Sequence, residues 1–73
     1  MTYKRVEIEW EDSAFHAGWK ARGEYSTSIC HTTGYLIHKD RKEVHVAQSW
    51  SDCGSVGEVI AIPMKCVRRM EHI

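Results

Sequence analysis

Net charge is missing from this chain: Lys plus Arg number 10 and Asp plus Glu number 10. A general nucleic-acid or membrane-surface binder carries a basic excess, so the balance argues against both classes. It also leaves little repulsion against self-association. Long apolar runs are missing as well. No stretch approaches the ~20 apolar residues of a membrane span. Residues 1–7 lack the apolar segment of a signal peptide, so a cytoplasmic location is expected. The three cysteines, Cys30, Cys53 and Cys66, are odd in number and irregularly spaced, which excludes a disulfide framework and predicts reduced thiols. Proline occurs once, at Pro63.

At 73 residues the chain is expected to form a single domain over 1–73. A domain near this size buries only about 60% of the surface its unfolded chain exposes, so oligomer formation would help it. Its 42% hydrophobic and 27% charged residues read as globular.

Alternation appears at once. In residues 3–10, Val6, Ile8 and Trp10 share one face and Arg5, Glu7 and Glu9 the other, which predicts a half-buried strand. Residues 11–27 lose the alternation and read as a long folded loop. Asp12 or Ser13 is placed to cap a short helical turn through Ala17, and Phe15, Trp19 and Tyr25 are expected to pin the loop to the domain. Residues 28–38 are rich in strand formers, with Gly34 marking a bulge or bend. Lys39 to Lys42 make a polar turn, and Glu43 to Trp50 return as a strand with Val44 and Val46 inward. A turn centred on Asp40 and Arg41 pairs Ile37 with Val44 and Tyr35 with Val46.

Ser51 to Gly57 form a second loop and Val59 to Ile62 a fourth strand. Pro63 has no amide hydrogen for a ladder and ends that strand. Met64, Lys65 and Cys66 suit one turn of 3₁₀ helix, and Val67 to Met70 make a short fifth strand. The expected fold is therefore all-β: five strands, a long loop after the first and a 3₁₀ turn before the last. Ala61-Ile62-Pro63-Met64-Lys65-Cys66-Val67 resembles the strand, Ile-Pro, three-residue turn and Val of SH3 domains, which implies a small five-stranded SH3-like barrel. The acidic and aromatic peptide-groove pattern of true SH3 domains is not evident, so proline-peptide binding is not carried over.

Four stretches, Val6 to Ser13, Cys30 to Asp40, Val44 to Ser49 and Gly57 to Pro63, are similar to a set of small proteins encoded by bacteriophages and prophages. The resemblance implies a compact accessory protein made in the bacterial cytoplasm during infection. Small phage proteins of this kind counter host defence by blocking a defence protein or by sequestering a nucleotide signal.

Chemistry-bearing residues are scattered. Cys30, His31, His38, His45, Cys53 and Cys66 make no Cys-x₂₋₄-Cys or His-x₃₋₅-His pair, so no metal site and no cofactor are expected, although His38 and His45 approach each other across the hairpin. Cys53 sits in a Ser-Asp-Cys-Gly-Ser loop with no base fixed beside it, and the chain is not expected to be an enzyme. Gly54 to Gly57 precede a strand rather than a helix, which weakens a phosphate-nest reading. Binding candidates remain: Lys20 and Arg22 in the long loop, Lys39 and Arg41 in the turn, and Trp19, Tyr25 and Trp50 as aromatics in or beside loops. The alternative for each is a solvated charge or an aromatic covering the sheet. The residues point to a non-enzymatic homo-oligomeric binding protein, and the resemblance implies a bacterial host protein as its partner. Sequestration of a nucleotide signal between subunits is the alternative. Single-stranded nucleic-acid binding is a third reading that neutral charge disfavours.

Overall fold

The computed structural model describes residues 2–73. Strands β1 (Arg5–Asp12), β2 (Ser28–Lys39), β3 (Glu43–Trp50), β4 (Val56–Pro63) and β5 (Val67–His72) form one antiparallel sheet in the order β4-β3-β2-β1-β5. The sheet is not closed into a barrel: β4 and β5 are its two free edges. A 3₁₀ turn, Met64–Cys66, joins those edge strands.

The alternation in β1 sorts as its sequence requires. Val6 and Ile8 are completely buried and Trp10 packs against them. Val44, Val46 and Ile62 complete the buried cluster, and Leu36, Ile60, Met64, Cys66, Val67 and Met70 flank it. Trp10 keeps its polar end satisfied, its indole N–H donating to Thr32 Oγ1 at 3.0 Å.

Gly34 draws the centre of the sheet together. It lies opposite Val6 in the β1–β2 ladder. A Cβ there would stand 2.6 Å from the Ala47 carbonyl oxygen and 2.7 Å from Val46 Cγ1. Only glycine admits β3 this close.

The β2–β3 turn differs from the expected one. The Asp40 amide donates to the Glu43 carbonyl at 3.0 Å, so Arg41 and Lys42 form the tip. Lys39 then pairs with Val44, His38 with His45, Leu36 with Val46 and Tyr35 with Ala47. The register shifts between Leu36 and His38. The extra residue Ile37 is a bulge that returns Leu36 to the core face opposite Val46. Ile37–Val44 and Tyr35–Val46 are therefore not partners.

Asp40 organises this tip. Its Oδ1 accepts the Lys42 and Glu43 amides at 2.7 and 2.9 Å, and its Oδ2 accepts His38 Nε2–H at 2.8 Å. The His38 bond and then the two amides hold its carboxyl at about 2, below the ordinary 3.8. The carboxylate thus stabilises the fold fully above the unfolded value, and this contribution is lost as pH falls through about 2. Pro63 ends β4 as expected, with its neighbour Met64 donating its amide to Lys42 O at 2.8 Å.

Two measurements check these contacts. Gly34→Ala is expected to lower unfolding stability by about 1–3 kcal/mol in urea titration, because the added methyl meets backbone on β3. In thermal unfolding, Asp40→Ala is expected to lower Tm near neutral pH, and the gap from the wild type should narrow as pH is lowered from 5 towards about 2, where the wild-type carboxyl is itself half protonated. A gap independent of pH would mean that the charge of Asp40 does not matter.

Candidate binding surfaces

Beyond Asp12 and Ser28, the last pair of the β1–β2 ladder, residues 13–27 leave the sheet as an arm. The molecule is correspondingly long, 52 × 21 × 21 Å. The helical turn expected after Asp12 does not form. Asp12 Oδ1 accepts only the adjacent Ser13 amide, and the one helical element within the arm is a 3₁₀ turn at Arg22–Glu24. That turn closes because Glu24 donates its amide to Ala21 O at 3.0 Å and accepts the Ala21 amide on its carboxylate at 2.9 Å.

The arm is folded on itself. Lys20 donates its amide to the Tyr25 hydroxyl at 2.9 Å, and His16 Nε2–H donates to Ser26 O at 2.9 Å. The His16 and Tyr25 rings meet edge to face at 5.4 Å. Thr27 Oγ1 donates to Glu11 and ties the root of the arm to β1. Phe15, Trp19 and Tyr25 do not pin this segment to the sheet: they are 94%, 102% and 44% exposed. The core face is already filled by strand residues, and none of the arm's hydrogen bonds reaches it. An open groove of about 500 Å³ runs along the arm between Phe15, His16 and Tyr25.

Of the sequence candidates, only those of the long loop lie on this arm. Lys20, Arg22, Trp19 and Tyr25 lie on the arm, with Lys20 Nζ 6.0 Å from the Tyr25 ring centre. Lys39 and Arg41 lie at the opposite end of β2, roughly 35 Å of strand away. Trp50 ends β3, half-buried, with Tyr3 and Tyr35 edge-on to it at 5.7 and 6.2 Å. It helps line a second recess of about 360 Å³ with Gln48 and Asp52. One chain therefore presents three separate groups. Phe15 and His16 are arm residues that the sequence reading did not single out for binding. Their signal was an aromatic pair in a segment without alternation.

His38 and His45 do approach each other, ring centres 4.6 Å apart, each bonded to a carboxylate of its own strand or turn. Among the described residues no group of three or more His, Cys, Asp or Glu is placed to hold a metal ion.

Cys53 lies in the loop after Trp50, next to Asp52 of the second recess. The Ser51 hydroxyl lies 2.9 Å from its sulfur and the Ser55 hydroxyl 3.6 Å. Donation by Ser51, then by the Ser55 hydroxyl and amide, pulls the thiol down to about 7 from the ordinary 9.0. No general base stands among these partners.

No family model matches the chain, and no curated protein or solved structure matches it.

The thiol environment is directly measurable. Iodoacetamide should modify Cys53 before the half-buried Cys30 and Cys66, with a rate rising through pH 7. Ser51→Ala should move that midpoint upward. Equal rates at all three cysteines would show that the serine cluster does not activate Cys53.

Proposed function

We propose that this chain is a non-enzymatic accessory binding protein of the phage type, and that it counteracts host defence by docking a bacterial protein on the arm. The observation that carries the reading is the full exposure of Phe15 and Trp19 on a segment held by its own hydrogen bonds. Folding gains nothing from burying these rings, whereas an interface gains most from Trp, Tyr and Arg at its centre. Trp19, Tyr25 and Arg22 supply all three on one arm. The fold we assign is SH3-like. Support for it comes from the strand order β4-β3-β2-β1-β5 and the 3₁₀ turn between the edge strands.

A second reading, sequestration of a nucleotide signal, is favoured by Lys20 lying 6.0 Å from the Tyr25 ring centre, with Arg22 and Trp19 on the same arm, a base-stacking and phosphate-pairing composition. Lys39 and Arg41 are too far along the sheet to complete that site within one chain.

Native mass spectrometry of the protein purified from a defended bacterial host separates the two. The first reading expects one host protein at fixed stoichiometry, and Trp19→Ser should weaken its binding at least ~30-fold, about 2 kcal/mol. Release of a nucleotide on denaturation would replace the first reading with the second. A chain that carries neither and fails to restore phage growth on that host would sink both.

A further inference from the structure

The chain exposes 5743 Å², whereas a compact monomer of its 8.5 kDa mass exposes about 4,700 Å². Its radius of gyration is 15.2 Å, against about 11 Å for a compact domain of this length. The surplus is about 1,000 Å², and a standard protein interface covers about 800 Å² on each partner. The surplus thus has the size of one side of an interface. The arm carries the largest exposed apolar side chains, Phe15 and Trp19, with Tyr25 on the same arm and Ile29 at its root.

Charge along the arm is divided. Its root carries Glu11 and Asp12, and its tip carries Lys20 and Arg22. All four are exposed. Glu24, the remaining acid of the arm, accepts the Ala21 amide, just as Glu11 accepts Thr27 Oγ1 and Asp12 the Ser13 amide, so the tip carries two basic side chains against one acid and the root two acids. Such a segment is complementary to itself when reversed. A two-fold axis across two arms places each basic tip against the other acidic root, because in an isologous contact residue i meets j and j meets i. Zero net charge puts no long-range repulsion in the way.

We infer that a second copy of this chain seats on the arm, the two arms lying antiparallel with Phe15 and Trp19 between them and Lys20 and Arg22 of each copy facing Glu11 and Asp12 of the other. The inference rests on the reading of the arm as a protein-docking element, and a host target that docks on Phe15 and Trp19 would compete with the second copy for them. Pairing also brings two sets of Lys20, Arg22 and Tyr25 into one assembly, which a single chain does not offer.

Sedimentation velocity of the purified chain, from micromolar to near-millimolar concentration and without any target, tests it. The wild type is expected to be a dimer. Phe15→Ser with Trp19→Ser should weaken association at least ~100-fold. These two side chains are exposed in the single chain, so the far-UV circular dichroism of the variant should match the wild type. Two charge variants decide the register. Lys20→Glu with Arg22→Glu, and separately Glu11→Lys with Asp12→Lys, should each be monomeric alone. Mixed together they should form a heterodimer, since every root then meets a tip of opposite sign.

A wild type that stays monomeric throughout overturns the inference. So does an oligomer unchanged by the Phe15 and Trp19 substitutions, which would place the contact elsewhere, at the free edges β4 and β5. Two charge variants that dissociate and are not restored on mixing overturn the antiparallel arrangement. A monomeric chain that still retains a host protein through Trp19 removes this inference and leaves the proposed function standing. A dimer that retains no host protein does the reverse.

Discussion

Where Gly34 lies opposite Val6, β2 presents no side chain to its neighbours, and the Val46 methyl and the Ala47 carbonyl occupy the space that a Cβ would fill. The sheet's centre depends on this approach. It brings Val46 of β3 over β1, so that Val6, Ile8, Val44, Val46 and Ile62 form one cluster rather than two rows of half-covered residues. The Ile37 bulge serves the same end from further along β2, since it restores Leu36 to the core face after the tight turn has moved the pairing by one residue. The 3₁₀ turn after Pro63 then lays Met64 and Cys66 against the cluster.

Such a core is small, and it holds only the sheet. Ordering a residue costs roughly 1–2 kcal/mol of backbone entropy, and the arm over 13–27 returns none of it through core burial. Its order rests on short-range bonds: His16 to Ser26, Lys20 to Tyr25, and Glu24 with Ala21. Those bonds involve polar groups and leave the apolar rings outward. A segment ordered by its polar groups and exposing its apolar ones is arranged for contact with another surface. Single surface aromatics are ordinary, but Phe15 and Trp19 stand within one arm beside Tyr25, in a chain otherwise without net charge to keep it apart from others.

Much of the sheet was legible because its signals are local. Val6, Ile8 and Trp10 alternate, Val44 and Val46 alternate, and Pro63 cannot donate to a ladder; each reading needs only nearby residues. Gly34 was legible as a special position, but its partner atoms on β3 were not, because they lie more than ten residues away. The arm was the largest misreading. Phe15, Trp19 and Tyr25 look like anchors in a sequence, since aromatic residues usually find a core. Whether a core face remains open to them is decided by how the other strands fill it. The binding candidates show the same limit. Trp19, Lys20, Arg22 and Tyr25 are neighbours in sequence and share one arm, where Lys20 and Tyr25 meet, while Lys39, Arg41 and Trp50 were grouped with them by residue type alone.

By itself, then, the sequence determined the class of the fold: alternating apolar residues select strands, a lone proline ends the fourth, and a three-residue turn leads into the fifth. Those are consequences of period-two geometry and of a missing amide hydrogen, which act within a few residues. The tertiary structure alone decided the register at the Asp40 turn, the closeness of β2 and β3 at Gly34, the open edges of the sheet, and the outward turn of Phe15 and Trp19. Each of these depends on which atoms, distant along the chain, compete for the same space.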